Sequence, residues 1–246
     1  MYDAFDLLQR IDDNAIPIMA GFGLAMVFQT IWMVDCLRVA RVEKRYSMPL
    51  FCTFFWLAHD AGCVARFDDW FNGYDHWYLK LYWVGLLTAV VWELLYLSQV
   101  VAYGREELMP WASRPAFVAI LAAGVVTSVV TWEFLKTGFT DPLYQASPVI
   151  TQVSYPVFGL MMLVGRRSAI GQTARMWWGF TGMCVAFVPT SVIFFGPYFQ
   201  TWQYIASGVV AIVGGIVMAL VVQRMRQAEG LDLAAGAVPL AVEPGR

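Results

Sequence analysis

The amino-acid sequence predicts an all-α membrane protein: a bundle of seven transmembrane helices with its N-terminus outside and its C-terminus in the cytoplasm. Three observations lead there. Of 246 residues, 59% are hydrophobic and 14% charged, with a mean hydropathy of +0.59, where a soluble domain carries about 25% charged residues. The charges gather in short clusters and leave apolar runs of about 18 to 25 residues, long enough to cross a ~30 Å hydrocarbon layer as helix. The basic residues fall mostly on alternate connections between those runs.

Each span is an apolar run bounded by polar clusters. The first, 15–37, lies between Asp12-Asp13-Asn14 and Arg38, and the second, 48–66, between Arg45 and the acidic stretch from Asp68. The third, 79–103, follows His76 and stops before Arg105; the fourth, 116–136, runs from Arg114 to Lys136. The fifth, sixth and seventh, 143–164, 176–196 and 203–223, lie between Asp141 and Arg166, after Arg175, and before Arg224. If the spans alternate, one side collects Arg38, Arg41, Lys44, Arg45, Arg105, Arg114, Arg166, Arg167, Arg175, Arg224, Arg226 and Arg246, 12 of the 16 basic residues. The positive-inside rule makes that side cytoplasmic.

The domain reading is one transmembrane unit, 1–227, with a frayed tail, 228–246, rich in Ala, Gly and Pro. The N-terminus, with Asp3, Asp6, Asp12 and Asp13 against Arg10 alone, lacks the basic region of a cleaved signal peptide, so the first helix is expected to stay. A net charge of −2 excludes nucleic acid as a partner. Cys36, Cys52, Cys63 and Cys184 show neither metal spacing nor a CxxC pair and read as buried small hydrophobes. Small residues at every fourth position, Ser207, Ala211, Gly215 and Ala219 on the last helix and Ala119, Ala123 and Thr127 on the fourth, read as close-packing faces.

Ionisable residues at membrane depth are costly and therefore functional candidates. At 1.5 Å per residue, Asp60 lies roughly 18 Å and Glu93 roughly 15 Å from the cytoplasmic helix ends, in one layer near the midplane. Asp35 and Glu133 fall near helix ends and read as interfacial anchors or caps. His59 is expected to point about 100° away from Asp60, and His76 falls in an outer loop, so no paired-histidine haem site is expected. The last helix has no Lys, which argues against a retinal Schiff base. The connection from Phe67 through Asp68, Asp69 and Asp75 lacks a second acidic cluster, so it reads as a solvated loop and no metal or cofactor site is expected. Phe51, Phe54, Phe55, Trp56 and Phe67 accompany Asp60, and Tyr82, Trp83, Trp92 and Tyr96 accompany Glu93. A desolvated carboxyl among aromatic rings is a proton donor whose cationic product meets ring faces rather than nucleophiles.

Two stretches carry a family resemblance. Tyr46-Ser47-Met48-Pro49-Leu50 with Trp56 resembles the start of the small integral-membrane terpene cyclases of fungal meroterpenoid and indole-diterpene pathways. Gln152 and Ser154, then Arg166-Arg167-Ser168-Ala169-Ile170-Gly171-Gln172-Thr173 with Trp177 and Gly182, resemble that family's Gln/Ser helix and its Arg-rich connection before a Trp. The resemblance spans about 29–226. It implies metal-independent cyclisation of a prenyl or epoxy-prenyl chain on a lipophilic acceptor, started by protonation, with a prenyltransferase or epoxidase acting upstream. It also implies a bacterial cell membrane or fungal endoplasmic reticulum as the location. The position after Trp56, where the family has its acid, is Leu57, and the last helix lacks the family Asp. The acid is therefore sought one turn on. Asp60 is the expected donor and Glu93 its base or partner, with Trp56, His59, Phe55, Trp92, Tyr96 and Gln152 expected to meet the substrate. The other readings are a proton-coupled carrier of a lipophilic molecule, with Asp60, Glu93 and Glu133 as a relay and breaks at Pro156 and Pro189, or a non-catalytic prenyl-binding relative.

Overall fold

The structure, a computed structural model, describes residues 2–138 and 141–231. All regular elements among them are helical: α1 Ala4–Asp13, α2 Ala15–Glu43, α3 Leu50–Val64, α4 Trp77–Tyr103, the single turn α5 Arg105–Leu108, α6 Arg114–Gly138, α7 Pro148–Arg166, α8 Ala174–Phe194 and α9 Trp202–Glu229. Helix is the solution that satisfies every backbone N–H and C=O inside the segment when no water is present. Six of these, α2, α4, α6, α7, α8 and α9, are long and apolar enough to cross a membrane.

The expected second span is shorter than 48–66. Pro49 stands at the N-cap of α3, which ends after 15 residues, about 22 Å of helix. α1 was not anticipated, because ten residues are too few to cross and the segment looks merely acidic. It is amphipathic: Leu7, Leu8 and Ile11 are buried, and the Asp3 carboxylate caps it by accepting the Asp6 N–H at 2.9 Å. α2 continues six residues past its expected end, through Glu43, so Asp35 is no cap. It is buried and accepts a hydrogen bond from the Thr173 hydroxyl. α9 likewise runs on through Glu229 and closes at Gly230 with φ +66°, which shortens the expected tail from its start; 232–246 lies outside the described residues. Pro156 and Pro189 sit inside α7 and α8 without ending them.

Close approaches fix the bundle. α2 lies along α8, where a Cβ on Gly179 would stand 2.9 Å from the Trp32 backbone nitrogen and one on Gly182 would stand 2.5 Å from the Phe28 ring. The small-residue face expected on α9 packs inward: Ala211, Gly215 and Ala219 are buried. The one expected on α6 does not, since Ala119, Ala123 and Thr127 face outward. Phe117, Leu121 and Trp132 turn inward in their place, because burying large side chains against α3 outweighs a shallow small-residue seam.

One end of the bundle is basic and locked. Arg226 bonds Glu43 at 2.8 Å and the Gln172 carbonyl at 2.8 Å. Arg166 bonds Glu107 at 2.7 Å and the Tyr46 carbonyl at 2.9 Å, with its guanidinium 4.3 Å from the centre of the Tyr46 ring. The two stretches singled out by family resemblance are thus pressed against each other, and Gly171, at φ +84° and with Cβ space 3.0 Å from the Tyr46 carbonyl, admits no other residue without a shift.

Gly179→Val is expected to force α2 from α8 and lower stability by about 2 kcal/mol or more, whereas Gly165→Ala, which meets nothing within 4 Å, is expected to leave it unchanged. Thermal unfolding of both variants in the same detergent checks this.

Candidate functional site

Between α2, α3, α4, α7 and α8 lies a cavity of about 430 Å³, within the range of small-molecule sites. Its wall is largely aromatic: Phe22 and Trp32 from α2, Trp56 from α3, Tyr78 and Tyr82 from α4, Phe180 and Phe187 from α8. His59, Asp60, Glu93, Thr151 and Gln152 supply the polar groups.

Asp60 is ten residues from the start of α3 and Glu93 ten residues from the end of α4, so antiparallel packing brings both to one depth, about 15 Å along each helix. Their carboxyl groups are neighbours, near enough to interact. Two carboxylates side by side repel and offer no donor, so a neighbouring pair is accommodated by sharing a proton. Glu93 is 2% exposed, and its Oε2 is buried without a hydrogen-bond partner among the described residues. The His59 ring turns back to its neighbour instead of pointing away: Nδ1 stands 2.5 Å from Asp60 Oδ1. Nε2 reaches Ser147 Oγ at 2.9 Å, and the imidazole rests against the Trp132 ring, 4.6 Å between centres.

Ser147 is held from the loop before α7. The Asp141 carboxylate accepts the N–H groups of Gln145, Ala146 and Ser147 at 3.0, 3.0 and 2.8 Å, together with the Tyr2 hydroxyl. Burial pushes the Asp141 carboxyl above the usual carboxylate range, against the pull of those four bonds. Burial and the adjacent Asp141 raise the Tyr2 phenol as well.

The expected site residues divide. Asp60, Glu93, Trp56, His59 and Gln152 all line the cavity. Trp56 donates to Ser154 Oγ at 3.2 Å, and the Gln152 amide oxygen is buried without a partner. Phe55, Trp92 and Tyr96 do not line it. Phe55 turns toward α6, edge-on to Trp132 at 5.8 Å; Trp92 packs half-buried on the core; Tyr96 donates its hydroxyl to the Met33 carbonyl at 3.2 Å, tying α4 to α2. Leu57, at the family's acid position, is buried away from the cavity lining. Trp32, Tyr82 (named beside Glu93 but not as a site residue), Phe180 and Ser147 were missed. The first three sit on helices apolar on every side, where periodicity gives no rotation, and Ser147 is placed by a loop.

The remaining acids are used locally. Glu133 is exposed and pairs with Lys136 at 2.6 Å, Asp69 with Arg66 at 2.7 Å, and Asp75 with Lys80 at 2.5 Å. All four cysteines are buried and free. Among the described residues, no three His, Cys, Asp or Glu side chains converge as a metal site would require. Comparison of the chain with protein-family models, with curated proteins and with solved structures finds no match.

Asp141→Ala strands three backbone N–H groups and the Tyr2 hydroxyl, and is expected to lower stability by about 3 kcal/mol. Asp141→Asn, which keeps one acceptor oxygen, is expected to recover part of that loss, as read by thermal unfolding.

Proposed function

We propose that the chain is a multi-pass membrane terpene cyclase of seven helices, with α3 as the seventh crossing, the basic end cytoplasmic and the α1 end outside. The observation that carries this reading is the Asp60–Glu93 carboxyl pair, backed by His59, opening into an aromatic-walled cavity at mid-helix depth. In this reading the substrate is a prenyl or epoxy-prenyl chain on a lipophilic acceptor, supplied by a prenyltransferase or an epoxidase.

Asp60 gives its proton to an alkene carbon or an epoxide oxygen, and the C–O bond of the epoxide, where there is one, opens as the proton arrives. The cation is attacked by the next alkene of the chain, so that each new C–C bond moves the charge along. The faces of Trp32, Trp56, Tyr82 and Phe180 attract that charge without bonding to it. Glu93, as carboxylate, removes a proton from the last cation. Proton transfer between the two neighbouring acids then returns that proton from Glu93 to Asp60, so the cycle closes with no net proton taken and a product of unchanged formula. His59 is a positioning residue that holds Asp60 toward the cavity.

Membranes containing the protein, incubated with prenylated and epoxy-prenylated phenols, are expected to yield a product of unchanged mass and altered retention. Asp60→Asn and Glu93→Gln are each expected to cut that rate at least about 100-fold, the range of lost proton transfer, without change in unfolding temperature. No turnover of any acceptor, together with no effect of Asp60→Asn in a producing host, overturns the reading.

A second reading, a proton-coupled carrier, is favoured by the chain from Asp60 through His59 to Ser147, which leads from the cavity to the loop before α7. Flux into proteoliposomes that follows a pH gradient and is lost in His59→Gln is its expected signature.

A further inference from the structure

The cavity reaches the side of the bundle as well as its centre. Met26, Leu81 and Val84 line it, yet are 44%, 47% and 52% exposed on the outer surface. A residue that is both cavity wall and outer surface marks an opening, and these three flank the seam between α2 and α4. Toward the basic end the seam is tied by the Tyr96 hydroxyl on the Met33 carbonyl and by the Gln99 amide on the Leu37 carbonyl at 3.5 Å. Toward the other end Phe22 meets Tyr78, with ring centres 6.4 Å apart. Between those ties no hydrogen bond joins the two helices among the described residues, and Gly85 faces space, with nothing within 4 Å of where its Cβ would stand. The mouth carries no ionisable side chain; its polar groups are the Thr88 hydroxyl, already donated to the Val84 carbonyl at 2.9 Å, and the Gln29 amide.

We propose that the α2–α4 seam is a doorway through which an isoprenoid chain passes sideways from the hydrocarbon layer into the cavity. The substrate is then a membrane-dissolved molecule that leads with its apolar chain, and the far end of that chain is what arrives at Asp60 and Glu93. A charged or water-dissolved solute finds no group at the mouth to replace its hydration. This rests on the cavity being the working site proposed above.

The test uses binding separately from turnover. Because the four native cysteines are buried, Thr88→Cys places one reactive thiol at the mouth, to be labelled in proteoliposomes by a lipid-soluble maleimide. Geranylgeraniol is expected to slow that labelling at least fivefold and oleyl alcohol, an unbranched chain of similar polarity, less than twofold. Gly85→Trp, which fills open space, is expected to cut binding of radiolabelled geranylgeraniol at least tenfold at unchanged unfolding temperature. Gly165→Trp, remote from the seam, is expected to leave binding intact. Labelling of Thr88→Cys that geranylgeraniol does not slow, equal protection by oleyl alcohol, or undiminished binding by folded Gly85→Trp each overturns the doorway. Intact binding and plugging without turnover leaves the doorway standing and counts against cyclisation alone.

Discussion

An ionised group surrounded by hydrocarbon must find a partner or give up its charge, and the arrangement of this bundle follows from how few such groups it buries. The buried charges near the basic end each have a specific neighbour. Asp35 takes the Thr173 hydroxyl, Glu43 takes Arg226, and Arg166 takes Glu107. These pairs join residues far apart in the chain, so solvating each charge also sets which helices lie together. The basic end is rigid for that reason: the connection between α7 and α8 is held at once by Arg166, Glu43 and Glu229. Asp60 and Glu93 are the exception. They have each other and one imidazole, and they face empty volume rather than packed side chains.

That empty volume is a consequence of where α2 leans. Glycines on α8 let α2 settle against it at backbone distance, and Gly21 comes as close to Thr190. A helix of fixed width drawn to one neighbour withdraws from the other, and α4 is the neighbour it leaves. Tyr96 and Gln99 reach across what remains at the basic end. The aromatic side chains then close the cavity above and below, Trp32 with Tyr155 and Phe180 on one side, Phe22 with Phe187 and Phe195 on the other. Packing that excludes space along one seam therefore creates it along the next.

Depth was legible in the chain and rotation was not. Counting residues from helix ends places Asp60 and Glu93 in one layer without knowing how the helices turn, and both line the one cavity. Whether a side chain faces the cavity depends on rotation, and α2 and α4 are apolar on all sides, so a lipid-facing and a cavity-facing Leu or Trp look the same. This is why Phe55, Trp92 and Tyr96, chosen for nearness in sequence to the two acids, turn to other neighbours, while Trp32 and Phe180, distant in sequence, form the wall. Helix ends were misjudged for a related reason. Arg38, Arg41 and Glu43 look like a boundary, but long charged side chains reach polar surroundings from inside a helix, and the backbone runs on beneath them. α1 escaped notice because its apolar face is only three residues deep.

The hydrogen-bond geometry around His59 limits where protons sit. Ser147 Oγ lies 3.3 Å from the Tyr144 carbonyl, which can only accept, and 2.9 Å from His59 Nε2, which donates or accepts with the tautomer. The hydroxyl donates to the carbonyl when Nε2 carries a hydrogen and to Nε2 when the ring hydrogen is on Nδ1. Nδ1 is left facing Asp60 Oδ1. Either the ring accepts there from an Asp60 hydroxyl, or the ring donates from Nδ1 to an Asp60 carboxylate. In both cases one proton lies between the two groups. Glu93 stands beside Asp60 as the third member. The three groups thus form a short chain in which a proton leaving at the cavity face has a neighbour positioned to replace it. Asp141 holds that chain from a distance, because its bonds to the N–H groups before α7 fix the loop that carries the Ser147 oxygen to His59 Nε2.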